Sequence, residues 1–246
     1  PYGTLSSLWH LDAMFPDTEL MDLFRGKRLV DLGAQDGDTA FFYESLGVDC
    51  TAIDNPPTNH NGMQGIRAMK SALDSKVPLH ELDLNGAFEL PEDYDVGLLL
   101  GVLYHLEHPV YALKQIRKRV STLLLSTKVA SHSGPEDDAL NIADLPLAYF
   151  LDSREANNDP TNYWVFSEPA LHRLFKRSGW EVVKYRTVAR SDRTPTLPMA
   201  TSVPSRYLNA WVEHAKGLNP RFTSSSLATD LSSLGVPVGP VSGATS

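Results

Sequence analysis

The first clear rhythm in the chain is an apolar run from Arg28 to Ala34 that closes on a glycine-bearing loop. Asp38 can cap the helix that follows, and Gly47 stops it. Val48 to Asp54 reads as a second strand, so this stretch predicts one βαβ unit. Gly62 to Lys76 predicts a helix, Val77 to Asn85 alternates as a third strand, and Tyr94 to Leu103 reads as a fully buried fourth. Pro109 opens an amphipathic helix through Val120, with Val110, Leu113 and Ile116 on one side and Lys114, Arg117 and Lys118 on the other. Thr122 to Ala130 is a fifth strand. Strands separated by helices return to a parallel sheet covered on both faces, so the expected architecture is doubly wound α/β.

The rhythm stops after Ala130. Residues 131–166 are too long for an ordinary connection and follow a strand's carboxyl end, which predicts a lid or substrate wall. Order resumes with a helix from Ser167 to Ser178 ended by Gly179. Strands from Glu181 to Val188 and from Arg206 to His214 then close as a hairpin pair. The expected organisation is an N-terminal segment (1–24), one domain (25–216) carrying the 131–166 insert, and a Ser, Gly and Pro rich tail (217–246). Leu227, Leu231, Leu234 and Val236 can pack the tail on this or a neighbouring molecule, which leaves a homo-oligomer open.

Composition narrows the class. The 246 residues suffice for one substantial core, and 42% hydrophobic with 21% charged residues is ordinary for a globular chain. The longest apolar run, Val96 to Leu106, is far short of the roughly 20 residues of a membrane span. With no basic and apolar leader before the first strand and a single cysteine, Cys50, the expected location is cytoplasmic, away from membranes. Cys50 sits in an apolar strand pattern and reads as a buried, inert thiol. A net charge of −8 disfavours a broad polyanion-binding surface. A local basic run remains, Arg173, Lys176 and Arg177 followed by Lys184, Arg186 and Arg190, whose ordinary meaning is a solvated face.

Candidate chemistry gathers where the strands end. In open α/β sheets ligands bind outside the carboxyl ends of the strands near the switch point, where Gly33 to Asp38 falls. Gly33 and Gly37 let the backbone turn tightly and approach a ligand. Asp54 ends the second strand about twenty residues on, where a carboxylate can accept both ribose hydroxyls. Asp83, in "HELDLN", can accept from an adenine amino group while the Leu84 amide donates to a ring nitrogen. These positions suit any adenosine-containing cofactor. A pyrophosphate, however, wants bare amides and is repelled by carboxylates, whereas Asp31, Asp36 and Asp38 line this loop and G-x-G-x-x-G is not completed. S-adenosylmethionine has no phosphate, and its ammonium and sulfonium are favoured by acids.

For a displacement at a sulfonium the protein mainly aligns nucleophile and methyl and, where needed, removes a proton. His105, directly after Tyr104 at the fourth strand's end, is the general-base candidate, with a backbone-bonded structural histidine as the alternative. His105, Glu107 and His108 complete no H-E-x-x-H pattern, so no metal is expected. Asn162, Tyr163 and Trp164 can wall an acceptor pocket or serve as lid packing, and Asp137 with Asp138 reads as a solvated turn.

The segments "LVDLGAQDG", "AID", "LDL", "LLLGVLYHLEHP" and "NYWVFSEPALHRLFKRSGW" resemble those of class I S-adenosylmethionine-dependent methyltransferases. More narrowly, they resemble the family of the bacterial enzyme that modifies uridine 34 of tRNA. The resemblance runs from residue 25 to residue 215, and "GVLYH" and the "NYW" segment are its specific parts. It implies a Rossmann-like seven-stranded sheet, mostly parallel, with an antiparallel last strand. It also implies a cofactor site of Asp31, Gly33, Ala34, Gln35, Gly37, Asp54, Asn55, Asp83, Leu84, Leu100, Gly101 and Tyr104. There Leu100 and Tyr104 lie beside the methionine end, and Gln35 replaces the usual middle glycine. Arg206 falls where the tRNA enzyme has an arginine that meets the carboxylate of carboxy-S-adenosylmethionine.

The reading that follows is methyl transfer from S-adenosylmethionine to a small-molecule acceptor, with Tyr104 and His105 catalytic and Asn162, Trp164 and Arg206 on the acceptor side. Its rivals are methyl or carboxymethyl transfer to a tRNA wobble uridine, disfavoured by charge, and a noncatalytic cofactor-binding protein.

Overall fold

The computed structural model describes residues 17–132, 140–156, 158–189 and 206–214. Helix α1 (Asp17–Phe24) precedes β1 (Arg28–Leu32), α2 (Asp38–Ser45) and β2 (Asp49–Asp54). Then come α3 (Gln64–Ala72), β3 (Leu79–Glu81), β4 (Tyr94–Leu100), α4 (Pro109–Ile116) and β5 (Val120–Val129). Two short strands, β6 (Ala148–Phe150) and β7 (Trp164–Phe166), precede α5 (Glu168–Ser178), β8 (Trp180–Ala189) and β9 (Arg206–His214).

Seven strands form the frame in the order β3-β2-β1-β4-β5-β9-β8. Neighbours from β3 through β5 pair parallel, and β9 runs antiparallel to both β5 and β8. The strand order reverses between β1 and β4, which opens a crevice at their carboxyl ends. Alternation along β1 shows how the layers are fed. Leu29 packs with Phe41, Ile66 and Leu98 under α2 and α3, whereas Val30 and Leu32 pack with Leu113, Ile116 and Phe175 under α4 and α5. Trp180, only 1% exposed, donates its indole N–H to the Leu113 carbonyl at 3.1 Å and ties β8 to α4.

Several boundaries move for local reasons. The fourth strand stops at Leu100 because Gly101 turns into the left-handed region (φ +74°), and a 3₁₀ turn follows over Leu103–His105. The third strand shrinks to Leu79–Glu81, since it pairs only with β2 and the chain then turns at Asp83–Gly86. Met63 (φ +63°) and Asp74 (φ +48°) bracket α3 and shorten the helix expected over Gly62 to Lys76. Helix α5 keeps its expected limits. The Ser167 hydroxyl accepts from the Ala170 amide at 3.3 Å, and Gly179 (φ +88°) closes the other end.

Among the described residues the sheet carries nine strands, the seven of the expected frame and β6 and β7 from the insert. The latter two pair with each other, and β7 joins β5 only through Val129 and Phe166. Ile142, Leu151, Ala156 and Val165 give the insert a small core of its own, closed against Ala130. Cys50 is 3% exposed in β2, and burial, then the charges of Asp31, Asp49 and Glu44, push its thiol up to about 12. No helix among the described residues is long and apolar enough to cross a membrane. The tail from 217 onward, Asp137, Asp138 and Arg190 lie outside the described residues.

Candidate active site

The loop after β1 is built for close approach. Gly33 has φ +81°, and a Cβ there would sit 2.4 Å from the Val102 side chain. The Gly33 and Ala34 amides donate to the Ile53 carbonyl, which locks the loop against the end of β2. Gln35 takes the left-handed conformation usually left to glycine (φ +50°). Its strained backbone aims its N–H at Asp54 Oδ2, 2.7 Å away. The Asn55 amide donates to Asp54 Oδ1 at 2.7 Å and the Asn59 side-chain amide to Oδ2 at 2.9 Å. A carboxylate has about four acceptor directions, so these three bonds leave room for one further hydroxyl rather than two unless Asn59 turns away.

The three loop acids have different situations. Asp36 accepts from the Asn61 side chain at 2.8 Å and lies 3.5 Å from His60, and Gly65 leaves the room that the Asp36 carboxylate fills. Asp38 opens α2, where a negative charge suits the helix dipole. Asp31 is 4% exposed, and burial, reinforced by the charges of Asp38 and Asp54, raises its carboxyl to about 7. On the far side of the crevice, exposed Asp83 takes the Asn85 amide at 2.9 Å, and Asn85 in turn accepts from the Glu107 amide at 2.8 Å. Leu84 is buried beside this turn, and Leu100, Gly101 and Tyr104 lie partly exposed across it in sequence at the end of β4.

A second cluster forms around His105. Its ring lies 4.3 Å from that of Tyr104, and Lys128 Nζ stands 4.4 Å from the Tyr104 ring centre on that residue's face. Lys128 is on β5 and only 4% exposed, with Asn162 Oδ1 at 3.5 Å. Asn162 itself donates to the carbonyls of Ala156 (3.0 Å) and Asp159 (3.2 Å). His105 Nδ1 contacts the Thr161 hydroxyl at 2.9 Å and carbonyl at 3.1 Å. Burial pushes the imidazole below its ordinary value and Lys128 adds to this, against Asp159 and the Thr161 carbonyl. Burial alone would raise Asp159, but Thr161, His105 and Lys128 hold it below the usual carboxylate range.

Asn162 and Trp164, expected on one wall, face different places. Asn162 is buried against Lys128, whereas Trp164 opens onto an apolar groove of about 680 Å³ shared with Pro109, Tyr111, Phe166 and Leu174. Its indole N–H donates to the Glu107 carbonyl at 3.3 Å, and the Tyr163 hydroxyl to Glu107 Oε1 at 3.0 Å. Arg206 opens β9 opposite Val129, and its side chain lies outside the described residues. Arg173, Lys176, Arg177, Lys184 and Arg186 are exposed on α5 and β8. Among the described residues no group of three or more His, Cys, Asp or Glu side chains could hold a metal.

Sequence reasoning missed Lys128, Asp159 and Thr161, and also Asn59 and Asn61. Only Lys128 left a signal, a lone lysine inside the apolar strand "LLLSTKVA".

A family model described as a methyltransferase domain matches residues 11–185, and with it the loop, the strand ends and the insert. The chain belongs to that methyltransferase-domain family. Its sheet is that of the class I S-adenosylmethionine-dependent methyltransferases. An S-adenosylmethionine-dependent methyltransferase from Mesorhizobium loti is 16% identical, with 85% of this chain and 98% of that one covered, at a TM-score of 0.61. The N-terminal domain of EvdMO1 with SAH bound is 17% identical over 81% and 79% of the two chains, at 0.55. The 1,6-didemethyltoxoflavin-N1-methyltransferase of Burkholderia thailandensis, with 1,6-didemethyltoxoflavin and S-adenosylhomocysteine bound, is 18% identical over 85% and 81%, at 0.54. These likenesses are of fold. No curated protein matches the chain.

Proposed function

We propose that this chain transfers a methyl group from S-adenosylmethionine to a small-molecule acceptor. The observation that carries this reading is Asp54, which gathers the Gln35 and Asn55 amides at the carboxyl end of β2, beside the loop after β1, and keeps an acceptor direction for a ribose hydroxyl. S-adenosylmethionine, when bound, supplies a methyl on a sulfonium that is open to in-line attack. The residues present suit it. Gly33 and Gly37 let the loop turn tightly against Val102 and against Phe41 and Ile66, Asp83 and the Leu84 amide suit adenine, and Asp31 meets the cationic end alongside Leu100 and Tyr104. Alignment supplies most of the catalysis. His105 takes a proton from the acceptor, so His105→Ala is expected to lower turnover by roughly 10²–10⁴. The solved methyltransferase that holds 1,6-didemethyltoxoflavin supports an acceptor of that size, as does the net charge of −8.

A second reading is a carboxylated cofactor with a tRNA acceptor, the resemblance noted for the uridine-34 family. A specific observation favours it: the buried Lys128 ammonium lies beside Tyr104, one residue before Val129, which pairs with Arg206.

The test is mass spectrometry of the small molecule released from purified protein, with Asp54→Ala as control, followed by incubation with S-adenosylmethionine and extracted metabolites. S-adenosylhomocysteine formed from metabolites supports methyl transfer. A ligand heavier by one carboxyl group, or activity on RNA that falls steeply with salt and with charge reversal at Arg177 and Lys184, favours the second reading. Saturable binding without turnover on any pool leaves a noncatalytic binding protein.

A further inference from the structure

The contacts around His105 specify which of its nitrogens bears the proton. The Thr161 carbonyl, 3.1 Å from Nδ1, can only accept, so Nδ1 must donate. The Thr161 hydroxyl gives its own hydrogen to Asp159 Oδ1 at 2.6 Å, and the Thr161 amide donates to the same oxygen at 2.9 Å. With its hydrogen spent on Asp159, that hydroxyl meets Nδ1 as an acceptor as well. Both contacts therefore demand Nδ1–H, and in a neutral imidazole this leaves the lone pair on Nε2. The charged and titratable groups that face the ring are Lys128, across Tyr104 from β5, and Asp159, from the insert. A purely structural histidine needs only the carbonyl. A chain that ends in a carboxylate is the arrangement that orients a base.

We propose that Asp159 and Thr161 are positioning residues that present His105 Nε2 as the base, and that the acceptor accordingly attacks through an atom still bearing a proton, a hydroxyl or an N–H. The inference rests on the methyl-transfer reading. In the step, the acceptor's proton passes to Nε2 and the freed electron pair forms the new bond to the methyl carbon. The carbon–sulfur pair returns to the sulfur of S-adenosylmethionine and discharges the sulfonium, and the imidazolium releases its proton to water.

The test is long-range ¹⁵N–¹H correlation NMR of the full chain across a pH titration, with and without S-adenosylhomocysteine. The expected wild-type ring is neutral with Nδ1 protonated and Nε2 bare. Its midpoint should rise in Lys128→Met, fall in Asp159→Asn and in Thr161→Val, and return in Thr161→Ser. Amide spectra identify any variant that fails to fold, and the isosteric Thr161→Val then carries the test. An Nε2–H ring in the wild type, or midpoints unmoved in both Asp159→Asn and Thr161→Val, overturns the positioning role. S-adenosylhomocysteine formation from extracted metabolites should follow the same midpoint and move with it in Lys128→Met. A rate that is flat across that midpoint overturns the acceptor assignment. Failure of S-adenosylhomocysteine to perturb any signal sinks the methyl-transfer reading while leaving the tautomer result intact.

Discussion

The two ends of the candidate site are put together differently. The loop side, residues 31–59, is a nearly continuous piece of chain in which each strand end meets the next by short hydrogen bonds, Gln35 and Asn59 to Asp54 among them. The His105 side draws Tyr104 and His105 from the end of β4, Lys128 from β5 and Asp159 to Asn162 from the insert. One side is anionic and strained at Gln35. The other sets a buried ammonium over the Tyr104 ring and ties a carboxylate, Asp159, to Thr161. The difference teaches that binding geometry can be written locally, whereas the orientation of a base requires partners that only tertiary contact supplies.

That comparison can be broken at its rigid side first. Gly33→Ala combines an unfavourable left-handed residue with a clash on Val102, and is expected to destabilise the fold by about 2–4 kcal/mol in urea unfolding. A smaller loss would mean the loop adapts. Asp54→Ala removes the acceptor of three donors, and S-adenosylmethionine affinity by calorimetry should fall by roughly 30–100-fold, about 2–3 kcal/mol. Asn162→Ala should cost about 1–2 kcal/mol of stability through two lost buried hydrogen bonds, yet leave cofactor affinity unchanged. Weakened cofactor binding there would merge the two sides into one unit.

Asp31 gives a pH test of the anionic side. Its folded value, about 7, lies well above the ordinary carboxylate value of 3.8. The folded state therefore holds the extra proton between these values, and stability falls as pH rises through that window. A cationic ligand favours the carboxylate, so binding should release a proton and tighten by about tenfold between pH 6 and pH 8, an effect absent in Asp31→Asn. The smallest effect is expected from Gln35→Gly. Relief of the left-handed strain, partly offset by glycine's greater unfolded-state entropy, should raise stability by about 0.5–1 kcal/mol in a thermal melt.

Much of the frame was legible in the chain because its signals are local. The apolar run into Gly33, the helix start at Ser167 and the Gly179 stop each act within a turn of the backbone, and the structure keeps all three, with Ser167 as the cap. The short strands β6 and β7 were not legible. Three residues of "AYF" or "WVF" carry no period, and they become strands only because each finds the other and the end of β5. The expectation that one wall holds both Asn162 and Trp164 failed for a related reason. Asn162 lies before β7 begins and its side chain is tied back to the Ala156 and Asp159 carbonyls, so no strand period links it to Trp164, and the two meet the buried Lys128 and the open groove respectively.

By itself, the sequence determined the alternation of strands and helices, hence a parallel sheet with its crevice at Gly33, Asp54 and Asp83. Hydrophobic period and turn chemistry are properties of neighbours along the chain. Only the tertiary structure decided that Lys128 is buried, that Gln35 adopts a glycine's conformation to reach Asp54, and that Thr161 and Asp159 hold His105. Those features depend on which groups lose water together, and burial is set by segments that meet across 56 residues of sequence.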